Sequence, residues 1–171
     1  MAIDSIPARL FEQAKRLGGK AAYYEKRGGR WQPTSWAGYA KQVRQVARAL
    51  IALGVQPGDR VCILGFNKPE WPTFDVGAMA AGAAPAGIYT TSSPAEVQYI
   101  LDHAEAPVVL LEDRDQWDKV LEELDDLPKL RHAVMMRDAG DIDHDRVLSW
   151  EAFLARGDET EDSAVDERMD D

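Results

Sequence analysis

The chain has 171 residues, a length that suits one domain, and its 45% hydrophobic and 29% charged residues are typical of a globular protein. Its single cysteine, Cys62, excludes a disulfide framework and a cysteine-based metal site within one chain. The start, Met1-Ala2-Ile3-Asp4, lacks the basic region and apolar run of a signal peptide, so we expect a cytoplasmic protein.

The net charge of −10 is unevenly distributed. Residues 1–68 hold 12 Lys and Arg against 4 Asp and Glu, whereas residues 69–171 hold 8 against 26. The acidic total, without any matching motif, disfavours nucleic acid as a partner. Lys41, Arg44 and Arg48 are predicted on one helix face, which suggests weak peripheral contact with anionic lipid. An ordinary solvated face is the alternative.

The first half of the chain predicts a helix, a hairpin and a second helix. Apolar residues recur at helical spacing over residues 6–17. Residues 21–26 and 30–35 flank Arg27-Gly28-Gly29, which indicates a β-hairpin with a glycine turn. A second helix is predicted over residues 36–53.

Beyond residue 60 the pattern becomes regular. Short β-rich runs begin near Val61, Ala84, Val108 and His132, at intervals of 23, 24 and 24 residues. Helical segments fill the gaps, and each begins with a capping residue, namely Asn67, Ser93 or Asp113. The sequence therefore predicts an α/β fold with a doubly wound, mostly parallel sheet and crossover helices, preceded by a helix and a β-hairpin.

The pattern weakens towards the carboxyl end. Residues 149–154 indicate one short capped helix. The last fourteen residues, 158–171, carry eight acidic side chains and one arginine. We therefore expect an α/β subdomain over residues 1–157, followed by a solvated acidic linker over residues 158–171.

A search for motifs that carry chemistry is largely negative. The chain contains no Walker A loop, no GxGxxG, no GxSxG and no HExxH. The acidic run Asp141-Ile142-Asp143-His144-Asp145 lacks the glycine and glutamate of a calcium loop. The three histidines share no metal-ligand spacing, and Cys62 is interpreted as a small buried hydrophobe. Glycines 77, 82 and 87 favour close packing of helix on sheet.

Two strand ends are the better candidates for a ligand site. Gly65-Phe66-Asn67 follows the first predicted parallel strand, and residues 87–93 follow the second. Ligands of parallel sheets gather outside the carboxyl ends of the strands, where loops meet helix amino termini. Hydroxyl and backbone N–H groups there suit an anionic or polar ligand, although simple helix capping explains the same residues.

Several segments together resemble the adenylate-forming enzymes, and among them the long-chain fatty-acyl-CoA synthetases, including the bubblegum type. The run over residues 49–61, which contains LGVQPGDRV, is of a kind shared across that superfamily. Narrower matches are Asn67-Lys68-Pro69-Glu70-Trp71 and the GIYTTSSP segment over residues 87–94. The resemblance extends from Ile6 to about Asp171.

The resemblance implies a two-step ligase in which fatty acid and ATP give acyl-adenylate and pyrophosphate with magnesium, and CoA then displaces AMP. The phosphate loop, adenine-binding segments and catalytic lysine of such enzymes are missing, and residues 164–171 resemble the segment shortly before that loop. The chain is thus expected to be an N-terminal portion, inactive by itself, that works with the remaining C-terminal part. The alternative is a stand-alone ligand-binding or scaffolding domain. A phosphate loop encoded beyond residue 171 would distinguish the two.

The resemblance also implies that Tyr89, Thr90 and Thr91 border the CoA channel. In related synthetases an aromatic residue and two small residues precede the Ser-Pro that opens a helix there, as Ser93-Pro94 does here. Trp117 is assigned to the flank of the same groove, with core packing as its alternative.

Overall fold

A computed structural model describes residues 4–170 of the chain. Residues 1–3, which enter the prediction about a signal peptide, and residue 171 lie outside the described residues. The predicted helix is present as α1 (Ile6–Leu17), and the predicted hairpin consists of β1 (Ala21–Arg27) and β2 (Arg30–Ser35), paired antiparallel. Gly28 and Gly29 turn the hairpin with φ values of 56° and 78°, a conformation that favours glycine.

The predicted parallel sheet is confirmed, with strands in the order β4-β3-β5-β6-β7. The five strands are β3 (Arg60–Leu64), β4 (Ala84–Ile88), β5 (Val108–Leu111), β6 (His132–Met135) and β7 (Val147–Ser149). In chain order, the first four begin within one residue of the positions predicted from the sequence. Every adjacent pair is parallel. The sequence did not predict β7, because three residues are too few to show strand periodicity.

Helices cover both faces of this sheet: α2 (Trp36–Ala52), α3 (Glu70–Ala80), α4 (Pro94–His103), α5 (Arg114–Glu122) and α6 (Trp150–Arg156). The caps predicted for Ser93 and Asp113 are confirmed, since each side chain accepts from a backbone N–H of its helix. The cap predicted for Asn67 is wrong. The α3 helix begins after Pro69 and has no side-chain cap.

Alternate residues of the central strand β3 supply two apolar layers. Val61 and Ile63 face the layer formed with α2, α3 and α6, while Cys62 and Leu64 face the layer formed with α4 and α5. All four side chains are completely buried. Because successive side chains of a strand point to opposite faces, an unbroken apolar run is what a sheet covered on both sides requires.

A close helix–helix contact explains Gly77. A Cβ atom at this position would lie 2.4 Å from Cγ1 of Val46 in α2, so only glycine allows the two helices to approach this closely. The packing predicted for Gly77 was against the sheet, and the structure instead shows packing against a helix. Contacts that bring two helices together depend on tertiary geometry, which a glycine in the sequence does not reveal.

The acidic tail differs from the predicted solvated linker. A 3₁₀ turn over Gly157–Glu159 leads into the helix α7 (Asp162–Asp170), in which Val165 is completely buried. The Arg168 guanidinium donates to the carbonyl oxygens of Val55 and Ala81 at 3.4 and 3.3 Å. The segment therefore packs against the α/β body as part of the fold.

The basic helix face predicted to meet lipid holds this tail instead. An Nη atom of Arg44 lies 2.9 Å from a carboxylate oxygen of Asp166, and the Arg44 guanidinium stacks on the ring of Phe11. Arg48 donates to the carbonyl oxygen of Thr160 at 2.6 Å and lies 3.5 Å from the Asp162 carboxylate. Two of the three basic groups are thus engaged within the chain. Within residues 4–170, no helix combines the length and apolarity needed to cross a bilayer.

We expect Gly77→Ala to lower the free energy of unfolding by about 1–3 kcal/mol, because the added methyl group overpacks the contact with Val46. Alanine normally stabilises a helix relative to glycine, so a loss is diagnostic of the contact. Urea denaturation measures the change. The control is Gly140→Ala, where an added Cβ would meet no atom within 4 Å. Equal stability of the two variants would contradict the expectation.

Candidate functional site

The two strand ends predicted as a ligand site lie side by side and line one cavity. Strands β3 and β4 pair in parallel with Leu64 opposite Ile88, so the segments that follow them leave the same edge of the sheet. Between them is a cavity of about 390 Å³, which is lined by Gly65, Phe66, Asn67, Trp71, Gly87, Ile88, Tyr89 and Thr90. The structure therefore brings the two candidate segments together at one cavity.

The loop after β4 presents an aromatic ring to solvent from a fixed backbone. The Tyr89 side chain is 84% exposed. The N–H of Ser92 donates to the carbonyl oxygen of Tyr89 at 3.0 Å, which closes a turn, and Nζ of Lys119 donates to the carbonyl oxygen of Thr90 at 2.7 Å. Thr90 is half-buried and Thr91 is exposed. The loop is therefore held in place by α5 and can offer Tyr89 and Thr91 to a ligand.

The start of α4 already holds a carboxylate of its own. The Ser93 backbone N–H donates to Oε2 of Glu96 at 2.8 Å, and the Ser93 hydroxyl accepts from the N–H of Glu96 at 3.3 Å. These backbone and side-chain hydrogen bonds from Ser93 lower the pKa of Glu96. The helix terminus is thus paired with an internal anion, which favours the capping interpretation for Ser93 and leaves ligand contact to residues 89–91.

A buried carboxylate braces the loop after β3. Glu112, only 3% exposed, directly follows β5 and accepts from the N–H of Phe66 at 2.7 Å through Oε2. Its Oε1 lies 2.9 Å from Nη2 of Arg137, which follows β6. A Cβ atom on Gly65 would lie 2.8 Å from Cβ of Glu112, so glycine is needed beside it. Sequence reasoning missed this contact, because only the pairing of β3 with β5 brings these residues together.

Asp113 joins the same network. Nη2 of Arg137 donates to its Oδ2 at 2.7 Å, and its other oxygen accepts from the N–H of Gln116 as the cap of α5. Burial raises the pKa of the Asp113 carboxyl, but the hydrogen bonds from Arg137 and Gln116 outweigh it and leave that pKa below its ordinary value. The Glu112 and Asp113 carboxylates, which follow β5, and the Arg137 guanidinium, which follows β6, therefore form one ion-pair cluster at this edge of the sheet.

The structure does not bring Trp117 to the cavity. The indole is only 1% exposed and packs in the apolar layer that contains Leu64 and Leu111. Its ring meets the ring of His144 edge-on, with centroids 5.1 Å apart. This is the core packing that was the alternative for Trp117, because its place on α5 faces the sheet rather than the loop after β4.

Other candidate groups are engaged in structure. Cys62 is completely buried, and burial raises the pKa of its thiol to about 12, which makes the thiolate inaccessible as a nucleophile. Burial, and to a lesser extent the nearby charges of Arg131 and Arg156, lowers the pKa of His132. Across residues 4–170, no three His, Cys, Asp or Glu side chains are grouped as metal ligands.

We expect Asp113→Asn to make the free energy of unfolding less dependent on pH in the acid range. A folded-state pKa below the unfolded value of 3.8 contributes stability that is present above pH 3.8 and is lost as the pH falls through the folded pKa. Asparagine retains the cap but does not titrate. Urea denaturation between about pH 5 and pH 2 measures the slope. The exposed Asp125→Asn serves as control, and equal slopes in both variants would contradict the expectation.

Sequence comparisons relate this arrangement to known proteins. The family described as AMP-binding enzyme matches residues 10–170. The chain is 33% identical over 160 residues to the long-chain-fatty-acid–CoA ligase ACSBG2 of Xenopus laevis, covering 93% of this chain and 22% of that protein. It is 33% identical over 166 residues to ACSBG1 of Homo sapiens, covering 97% of this chain and 23% of that ligase. The chain thus spans less than a quarter of the length of these two relatives.

Solved structures share the fold. The anthranilate–CoA ligase AuaEII in complex with anthranoyl-AMP matches with a TM-score of 0.75 and 24% identity over 91% of this chain and 28% of that one. Acetoacetyl-CoA synthetase from Streptomyces lividans matches with a TM-score of 0.76 and 25% identity over 87% of this chain and 24% of that one. With the family match over residues 10–170, these findings show that the chain belongs to the AMP-binding enzyme family.

Proposed function

We propose that this chain is the N-terminal portion of a long-chain-fatty-acid–CoA ligase and is inactive by itself. The observation that carries the proposal is 33% identity, over 93% and 97% of the chain, to two proteins with that name. The whole ligase would join a fatty-acid carboxylate to the α-phosphate of ATP with release of pyrophosphate. The CoA thiol would then attack the acyl carbon and displace AMP.

We propose that the site for the triphosphate and for magnesium lies outside this chain. The start of α4 is paired with Glu96, and Nζ of Lys119 is bonded to the carbonyl oxygen of Thr90. The negative charge that develops when a phosphoryl group is transferred must be stabilised by cations that are not already paired with other groups. We therefore assign ATP and magnesium to the remaining, C-terminal part of the ligase.

For CoA, the proposal is a border of its channel at Tyr89, Thr90 and Thr91. Support comes from the position of this loop at the carboxyl end of β4 and from its fixed backbone. The exposed Tyr89 ring offers an apolar face to pantetheine or adenine. We place the ligase in the cytoplasm. Peripheral contact with a membrane would require a surface other than the basic face of α2, because Arg44 and Arg48 are engaged with α7.

The purified chain is expected to show no fatty-acid-dependent exchange of pyrophosphate into ATP. A longer protein that continues the reading frame through a phosphate loop is expected to show it, because that loop would supply the missing charge stabilisation. Radiolabelled pyrophosphate exchange with palmitate measures both proteins. Exchange by the 171-residue chain alone would contradict the assignment of ATP and magnesium to the C-terminal part. Absence of exchange by the longer protein would contradict the ligase proposal.

In that longer protein, Thr91→Trp is expected to raise the KM for CoA about tenfold, a loss of about 1.4 kcal/mol, while acyl-adenylate formation stays nearly unchanged. The added indole would crowd the loop after β4, whereas adenylation is assigned to the remaining part of the ligase. The matched control is Glu122→Trp, at an exposed position on α5. An equal fall in adenylation and thioester formation, or an unchanged KM for CoA, would contradict the proposed contact with CoA and leave the loop with only a structural role in capping α4.

A further inference from the structure

The cavity at the ends of β3 and β4, the strand-end cavity, has two walls, and a side chain from outside each wall holds it in place. The first wall is residues 65–67, after β3, and the second wall is residues 87–90, after β4. In the first wall, the N–H of Phe66 donates to Oε2 of Glu112 at 2.7 Å. In the second wall, the carbonyl oxygen of Thr90 accepts from Nζ of Lys119 at 2.7 Å.

The two residues that hold the walls belong to one short stretch of chain. Glu112 directly follows β5, and Lys119 lies about two helical turns later, on α5. We call residues 112–119 the β5–α5 segment. Among the described residues, those that line the strand-end cavity include neither Glu112 nor Lys119. Each therefore affects the cavity only through the wall residue to which it is bonded.

The β5–α5 segment is itself fixed at several points. The N–H of Glu112 donates to the carbonyl oxygen of Leu64 at 3.0 Å, and its carbonyl oxygen accepts from the N–H of Arg137 at 3.2 Å. Asp113 caps the first turn of α5. Trp117 anchors the same helix, because its indole is only 1% exposed and packs in the apolar layer under α5. Close packing of this kind makes the segment rigid.

Arg137 fixes the direction in which the Glu112 carboxylate points. That carboxylate is only 3% exposed, and a charge buried to this extent is costly without a partner. Nη2 of Arg137 lies 2.9 Å from Oε1 of Glu112 and 2.7 Å from Oδ2 of Asp113. With Oε1 paired in this way, Oε2 is directed at the N–H of Phe66. Both ends of the β5–α5 segment thus present a charged group to a wall of the cavity.

We propose that the β5–α5 segment sets the separation of the two walls, and that Glu112 and Lys119 are positioning residues for the CoA-dependent step. A rigid segment with one hydrogen bond to each wall fixes the distance between the walls. Phe66 and Tyr89 supply one exposed aromatic side chain from each wall, and apolar surfaces attract a ligand only at contact distance. That the ligand is CoA rests on the proposed function, whereas the link between the walls does not.

Amide hydrogen exchange of the 171-residue chain, followed by NMR, tests the second wall without any ligand. Lys119→Met removes the donor to Thr90, so the turn in which the Ser92 N–H donates to Tyr89 should loosen. We expect that N–H to exchange about tenfold faster, the scale of losing a hydrogen bond to a charged group. Lys119→Arg retains a cationic donor and should restore the protection. The exposed Lys129→Met is the matched control and should change nothing at Ser92.

The same measurement tests the first wall. Glu112→Gln retains an acceptor for the N–H of Phe66 but loses the ion pair with Arg137, so this N–H should also exchange faster. The exposed Glu122→Gln is the matched control. Because Lys119 is only half-buried, its variants test the link even where Glu112→Gln fails to fold.

In the longer protein, Lys119→Met and Glu112→Gln should each raise the KM for CoA about fivefold, with a much smaller change in pyrophosphate exchange, which needs no CoA. Lys119→Arg should restore the KM. The double variant distinguishes one link from two independent contacts. If one segment sets the separation, the loss of either bond releases it, so the double variant should exceed neither single variant by much. Independent contacts would instead multiply to about 25-fold.

Unchanged exchange of the Ser92 and Phe66 amides would overturn the proposal, as would multiplied effects in the double variant. An unchanged KM for CoA in variants whose amides exchange faster would also overturn it, because the link would then be only structural. Absence of both pyrophosphate exchange and thioester formation in the unaltered longer protein would instead contradict the proposed function. The amide exchange of the 171-residue chain decides in that case whether the segment fixes the two walls.

Discussion

Parallel pairing of β3 with β4 on one side and with β5 on the other is the constraint on which the rest of this structure depends. Parallel strands deliver their carboxyl ends to one edge of the sheet, so three loops that are distant in sequence must meet there. The same pairing sets Gly65 against Glu112 and leaves the segments around Phe66 and Tyr89 facing each other across a cavity. The candidate site is thus a consequence of strand order.

The uneven charge of the chain finds its explanation within the fold. Basic groups of α2 meet the acidic helix α7, where Arg44 and Arg48 pair with Asp166 and Asp162. Surface pairs of this kind contribute little individually, about 0–1 kcal/mol each. Burial of Val165 adds an apolar contact that fixes where the tail packs. Charge segregation along a sequence can therefore direct one part of a chain onto another and need not indicate an external partner.

The cavity between the hairpin and the start of α3 adjoins the strand-end cavity, and Asn67 and Trp71 line both. Both cavities are lined by residues of the segment 65–71, which Glu112 fixes through the N–H of Phe66. Lys119 fixes the facing loop through the carbonyl oxygen of Thr90. Two buried or half-buried polar contacts thus give a rigid frame to surfaces that are themselves exposed, which reduces the entropic cost of binding.

The sequence by itself determined the elements and the sheet type. Apolar runs at intervals of 23 and 24 residues, with helical segments between them and caps at Ser93 and Asp113, were enough to predict the doubly wound fold and to locate the two strand ends. Such signals are local, because they depend on period, caps and turns within a few residues. They did not show β7, the packing of α7, or that Trp117 lies in the core. Only the tertiary structure decided these, together with the hydrogen bond from Phe66 to Glu112 and the two cavities that Trp71 lines, because each depends on contacts between residues far apart in the chain.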